Sequence, residues 1–272
     1  MPEYSYPASS KFQARIAAII RRRLYRALMR AARPLQETEP VQLPFDLETQ
    51  VLWDRVKSRT MTSIERIDAL RASVEYIHAN SISGDIVECG VWRGGSMMAV
   101  ALTLLRLKDI RRLWLYDTFS GMTPPESEDV DFEGRAAKDL LATEDPDSKI
   151  WANCSLTEVQ AALSETGYPA EQIEFIVGPV ESSIPRRIPE SIALLRLDTD
   201  WFQSTFHELV NLWPRVAEGG ILIIDDYGCW AGAKKAVDQY FAQMGLRPLL
   251  HRIDGCGRLA IKISAKQSIR QR

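Results

Sequence analysis

The chain of 272 residues has little of what most directly announces a function. It has three histidines, His78, His207 and His251, and none stands in a pair spaced for a metal. Only His207 follows closely on an acidic motif. It has four cysteines, Cys89, Cys154, Cys229 and Cys256, with no CxxC among them. That excludes a zinc ribbon or a thioredoxin-like motif, and scattered thiols of this kind are expected to be reduced. No apolar run approaches the roughly 20 residues that span a bilayer. The run Ile16-Ala17-Ala18-Ile19-Ile20 is too short for a signal-peptide core, so a cytoplasmic protein is expected. Internal repeats and low-complexity tracts are absent. A net charge of −2 argues neither for nor against a polyanionic partner, and no nucleic acid is expected as a partner.

One local absence is informative. Between Glu3 and Glu37 there is no acid, but there are eight bases, Lys11, Arg15, Arg21, Arg22, Arg23, Arg26, Arg30 and Arg33. That segment carries +8, which leaves −10 for the remainder. Phe12, Ile16, Ile19, Ile20, Leu24, Leu28 and Ala31 recur at helical spacing through it. Pro34, Pro40 and Pro44 close it off. The spacing predicts a basic amphipathic helical extension over residues 1–45, set apart from a second region, 46–272. Such a helix can contact an anionic membrane surface peripherally through residues 11–33. It can equally pack on its own domain or on a second subunit, as in a homo-oligomer. An organellar presequence would share its composition.

The second region alternates helical and strand patterns. Residues 63–79 place Ile64, Ile67, Leu70, Val74 and Ile77 on one helical face. Short β-rich runs follow at Asp85–Cys89, Leu113–Asp117, Ile173–Val177, Ile192–Asp198 and Gly220–Asp225. Helical patterns at Ser96–Leu107, Leu156–Thr166, Thr205–Val216 and 230–244 separate most of them. This order implies right-handed crossovers and a mostly parallel α/β sheet. The end reads as two strands around Asp254-Gly255-Cys256-Gly257, a C-terminal antiparallel hairpin. Between Ser120 and Ile150 lies a stretch rich in Pro, Glu and Asp. It reads as a polar insertion on the ligand side of the sheet, too polar for core.

After the first strand comes Glu88-Cys89-Gly90-Val91-Trp92-Arg93-Gly94. In a dinucleotide site a glycine, not an acid, occupies the first position of this turn. A carboxylate there repels a pyrophosphate and suits a cation, such as the amino group or sulfonium of S-adenosylmethionine. Gly90 and Gly94 let the backbone approach a ligand, and a helix starting near Ser96 offers free N–H groups to an acidic one. Asp117 ends the second strand 29 residues after Glu88, where an acid accepts hydrogen bonds from ribose hydroxyls.

Acids also end two later strands, in Leu194-Leu195-Arg196-Leu197-Asp198-Thr199-Asp200 and in Ile221-Leu222-Ile223-Ile224-Asp225-Asp226. Either Asp200 or Asp226 caps the helix that follows, or the group binds a cation. Asp198, Asp225 and Asp226 offer hard oxygen donors suited to Mg²⁺. A divalent ion lowers the pKa of a coordinated hydroxyl, and methyl transfer then needs proximity and alignment. Asp198 is the candidate for metal ligand and catalytic base. Trp92, Trp201 and Trp230 adjoin these motifs, as core residues or as pocket walls.

The motifs SRTMTSIERIDALR, VECGVWRGGSM, LYDTFSGMTPP, LRLDTDWFQST and GGILIIDDYG together resemble the macrocin and mycinamicin O-methyltransferase family, from about Arg59 to Phe241. The resemblance implies a Rossmann-like class I methyltransferase fold. It implies transfer of a methyl group from S-adenosylmethionine to a sugar hydroxyl with Mg²⁺, on a glycosylated natural product, glycolipid or polysaccharide. Carried over by motif, Glu88, Gly90 and Ser96 line the methionine end. Asp117, with Ser120 nearby, holds the ribose, and Gly178 sits near the adenine. Asp198, Asp225 and Asp226 bind the metal. Thr60, Met61, Thr62 and Ser63 match the segment that covers the cofactor. Thr199 departs from the pattern, since relatives often carry glycine or another small residue there. A catechol or other vicinal diol is an alternative acceptor. An NAD-dependent oxidoreductase and a non-catalytic cofactor-binding subunit are readings of another class. Calorimetry is the discriminating measurement: binding of S-adenosylmethionine and none of NAD is expected.

Overall fold

The computed structural model describes residues 45–145, 148–184 and 186–263. The basic helix expected over 11–33, and with it the N-terminal extension, lies outside the described residues. Two helices, α1 (Leu47–Val56) and α2 (Ile64–Ala79), lead into a Rossmann-like sheet. There follow β1 (Asp85–Cys89), α3 (Gly95–Leu107), β2 (Leu113–Asp117), α4 (Ala137–Thr143) and α5 (Leu156–Ser164). The chain continues through β3 (Ile173–Val177), the single turn α6 (Val180–Ser183), β4 (Ile192–Leu197) and α7 (Phe202–Leu212). It ends with β5 (Val216–Ile224), α8 (Ala231–Gln243), β6 (His251–Arg252) and β7 (Arg258–Ile261).

The seven strands lie in the order β3-β2-β1-β4-β5-β7-β6. The first five pair in parallel. The terminal hairpin adds β7 antiparallel to β5, with β6 outside it. The order reverses between β1 and β4, which opens a crevice at their carboxyl ends. Both faces of the sheet are covered, so strand residues bury alternately on each. Ile86, Leu113, Leu115, Leu194, Ile221 and Ile223 pack with Ile67, Leu70, Val74, Met97 and Leu104 of α2 and α3. Val87, Trp114, Tyr116, Leu195, Leu197, Leu222 and Ile224 pack with Leu209, Leu212, Val237, Tyr240 and Phe241 of α7 and α8. The helices start where capping chemistry dictates. Ser63 accepts from the Arg66 N–H at the head of α2, and Ser155 forms a capping box with Glu158 at α5.

Three expectations need correction. First, the polar insertion contributes core. Ala137, Leu141 and Trp201 form a third buried cluster, with Met122, Ile150, Trp151 and Trp230 against it. Asp129 and Asp131 are buried too, because their carboxylates accept backbone N–H groups rather than meet water. Second, α7 begins at Phe202, not Thr205. Its own N-cap, Trp201, has no side-chain acceptor. Asp129 Oδ1 reaches in from the insertion and takes the Phe202 N–H at 2.8 Å. Third, the thiols are not all reduced. Cys229 and Cys256 are joined, with Cα atoms 5.0 Å apart across a sequence separation of 27. Folding of the terminal hairpin brings them together, so no local spacing foretells the bond. Cys89 and Cys154 are buried and free.

Asp129 Oδ2 also accepts from Glu126 N at 2.7 Å, so the one side chain orders its own loop and starts α7. Asp129→Ala is therefore expected to destabilise the fold by about 2 kcal/mol through two unpaired N–H groups. A lowered urea midpoint at unchanged slope is the measurement.

Candidate active site

A pocket of about 390 Å³ lies over the carboxyl ends of β1, β2, β4 and β5. That size suits a small-molecule site, and the position is the topological switch point. One side is built by the loop from β1 to α3. Gly90 has φ +82°, and a Cβ there would collide with the Asp198 carbonyl, so the loop can press against the end of β4 only as glycine. Gly94, also left-handed, caps α3 without a side chain. The first N–H groups of α3 are thus left for an acidic ligand group. Asp117 holds this loop in place: its Oδ2 accepts from Val91 N at 2.6 Å and Trp92 N at 3.0 Å, and its Oδ1 from Phe119 N at 2.7 Å.

The other side is carboxylate. Oxygens of Asp198, Asp225 and Asp226 lie within 4.8 Å of one another. Asp200 joins them on a left-handed backbone, φ +63°. Neither Asp200 nor Asp226 caps a helix, since α7 and α8 start without a side-chain bond from their own N-caps. The cation inside this group is Arg196, a buried arginine one residue before the end of β4. It donates to Glu88 Oε1 at 2.6 Å, Asp198 Oδ2 at 2.7 Å and Asp225 Oδ1 at 2.6 Å. Arg66 of α2 approaches from outside and bridges Asp225 to Asp254.

Five carboxylates, Glu88, Asp198, Asp200, Asp225 and Asp226, thus face two guanidinium groups. The shortfall of positive charge shows in their acidities. Burial raises Glu88 to about 7 despite the Arg196 pair. Burial also raises Asp200 to about 7, with Asp198 repulsion adding to it. Asp198 and Asp226 are raised well above the carboxylate range, again first by burial and then by neighbouring acids. Asp198 keeps 31% of its side chain accessible, but through the pocket rather than at the protein surface. The donor set and the charge deficit both fit a hard divalent cation.

Most residues expected at the site meet here. Thr60, Met61, Gly90, Ser96, Asp117, Gly178, Asp198, Asp225 and Asp226 all line the pocket, as do Trp92, Trp201 and Trp230. Ser63 does not: it caps α2 and donates to Asp254 at 2.7 Å. Ser120 is exposed and bonds only within its own turn. Glu88 is fully buried behind the pocket wall, and its Oε2 has no partner among the described residues. His207 lies outside the lining. Thr62, expected within the covering segment, meets Asp225 with its hydroxyl at 3.5 Å, and the sequence reading misses the two arginines. A signal for Arg196 was present, because a charged residue inside an apolar strand demands buried partners.

The family model of macrocin O-methyltransferase (TylF) matches residues 20–260. The chain belongs to this family. Among its relatives, an 8-demethyl-8-(2,3-dimethoxy-alpha-L-rhamnosyl)-tetracenomycin-C 4'-O-methyltransferase from Streptomyces olivaceus is 35% identical over 208 residues, 75% of this chain and 76% of that one. A demethyldecarbamoylnovobiocin O-methyltransferase from Streptomyces niveus is 34% identical over 202 residues, 74% of each chain. The solved structure of the O-methyltransferase NovP superposes with a TM-score of 0.65 at 32% identity, over 76% of this chain and 83% of that one. This macrocin-family protein is therefore an S-adenosylmethionine-dependent O-methyltransferase with a class I fold. Among the described residues, no helix is long and apolar enough to cross a membrane.

Arg196 lets the methyltransferase keep carboxylates on three adjacent strands. Arg196→Met removes the counter-ion of three buried acids at once. A loss of about 3–5 kcal/mol is expected, read from chemical denaturation of the variant against the parent chain.

Proposed function

We propose that the chain methylates a hydroxyl of a sugar borne by a small molecule or glycoconjugate, with a divalent ion, Mg²⁺ by preference, held by Asp198, Asp225 and Asp226. The observation that carries this reading is the carboxylate trio itself. Its oxygens lie within 4.8 Å of one another at the crevice where the glycine loop also ends. A rhamnosyl group in the name of one relative supports the sugar.

The chain's own residues divide the work. Thr60, Met61 and Thr62 cover one half of the pocket, where Gly90, Ser96, Asp117 and Gly178 would receive S-adenosylmethionine. The unpartnered Glu88 Oε2, behind that wall, adds negative potential suited to the donor's positive charge. Met122, Ile150, Trp201 and Trp230 wall the other half. Trp201 and Trp230 meet edge to face at 4.9 Å and give a firm apolar surface for the carbon face of a sugar ring. Bound at the trio, Mg²⁺ would supply a positive charge that lowers the pKa of the acceptor hydroxyl. The proton then needs a carboxylate. Asp198 is one candidate, although Arg196 holds its Oδ2. Asp200 lines the same pocket, forms no ion pair among the described residues, and sits near 7, where a general base works best. The remaining demand is alignment of donor carbon and acceptor oxygen, which the pocket walls impose. The basic segment 11–33 has no part in this reading.

Asp225→Asn combined with Asp226→Asn is expected to lower methyl transfer about a hundredfold or more. S-adenosylhomocysteine binding should survive, and Mg²⁺ should no longer raise the melting temperature as it does for the parent chain. Transfer is followed by mass spectrometry on a panel of glycosides and free catechols, as gain of one CH₂ unit on the sugar fragment. Unchanged turnover in the double variant removes the ion from the reaction. Gain on catechols alone removes the sugar.

A further inference from the structure

Thr199 stands between the two acids that end β4. Its neighbour Asp200 holds φ +63°, a left-handed conformation uncommon for residues with a side chain and least costly for Asp and Asn. Besides the Arg196–Asp198 bond and the contacts of Asp200 with Asp226 and Trp230, three bonds hold this turn. Asp198 N donates to Cys89 O at 2.8 Å, which ties its start to β1. Trp201 N donates to Thr199 O at 2.7 Å, which closes its end. The third is the only one made by a side chain of the turn's middle residue: Thr199 Oγ1 donates to Glu208 Oε1 at 3.0 Å.

Glu208 is an unusual anchor. It lies on α7, is wholly buried, and forms no ion pair among the described residues. Its second oxygen is buried beside the Cys89 thiol. Burial pushes its pKa well above the carboxylate range, and Glu181, Asp226 and Asp198 push it further the same way. Its Oε1 accepts from the threonine, which ties the turn to α7. A buried polar group of this size costs stability unless its bond does something in return. Helix α7 is started by Asp129 and packed by Leu209 and Leu212, so it is a rigid support.

We propose that Thr199 and Glu208 form a positioning pair that fixes the turn carrying Asp198 and Asp200, and so holds their oxygens toward Asp225 and Asp226 against mutual repulsion. The proposal rests on the ion site proposed above. It gives the Thr199 hydroxyl a task.

The test is calorimetric titration of Mn²⁺ into the full chain with S-adenosylhomocysteine present, beside a titration of S-adenosylhomocysteine alone. Thr199→Val keeps the shape and removes the donor. It is expected to weaken Mn²⁺ binding about tenfold, the effect of one buried bond, while leaving S-adenosylhomocysteine affinity unchanged. Thr199→Ser and Glu208→Gln, which preserve donor and acceptor, should bind Mn²⁺ like the parent. Thr199→Val with Glu208→Leu should lose no more than the larger single loss, because the two act as one unit. Parental Mn²⁺ affinity in Thr199→Val, or additive losses in the double variant, would overturn the pair. Should Glu208→Leu not fold, Thr199→Val and its serine counterpart decide alone. A parent chain that takes up no Mn²⁺ overturns the ion site, and the pair's purpose with it.

Discussion

The structure depends on one buried cation. Arg196 points from β4 into a space walled by Glu88 of β1, Asp198 and Asp225, and it bonds all three. Burial alone would lower its pKa, yet the surrounding carboxylates raise it well above the ordinary guanidinium value. Each party makes the other tolerable: a desolvated guanidinium needs anions, and desolvated carboxylates need a cation. The pairing register sets this up, because Glu88 and Arg196 are partners across β1 and β4. Glu88 and Arg196 are therefore fixed by the hydrogen-bonded ladder of the sheet, while Asp198 and Asp225 lie just past the strand ends.

From that centre the order spreads outward along polar contacts. Asp225 passes it to Arg66, and Arg66 to Asp254 in the terminal hairpin. Asp254 also takes the hydroxyl of Ser63 and the N–H groups of Cys256 and Gly257. The covering segment Thr60–Ser63, the acidic strand ends and the hairpin turn thus belong to one network. The Cys229–Cys256 bond closes it a second time, from the turn that follows Asp226. Deeper in the chain, the apolar alternation on both sheet faces supplies the stiffness that this network assumes.

Much of this was legible in the residues. Strands β1, β2 and β3 fall where their β-branched and aromatic runs place them, and the terminal hairpin turns where Asp254-Gly255 indicates. Acids at the ends of strands announced the site because an open parallel sheet binds ligands there. What escaped notice required distance in sequence. Asp129 and Phe202 are 73 residues apart, Arg66 and Asp225 are 159 apart, and neither pair has a local pattern. Ser63 and Ser120 were read into the pocket by motif. Their side chains went instead to a helix cap and a surface turn, tasks that short hydroxyls perform at little entropic cost. The polarity of the insertion concealed its buried acids, whose partners are main-chain N–H groups that no sequence displays.

Asp129 has a consequence for how such an enzyme can change. The insertion lines part of the pocket, and under the proposed function, where this is the acceptor side, it would be the natural segment to exchange in retargeting the enzyme. Yet the same segment supplies the first hydrogen-bond acceptor of α7, the helix on which Glu208 rides. Gly232, at the head of α8, has no room for a side chain beside that same aspartate. A transplanted loop must bring an equivalent acceptor with it, or the graft disturbs the catalytic floor while altering only the ceiling.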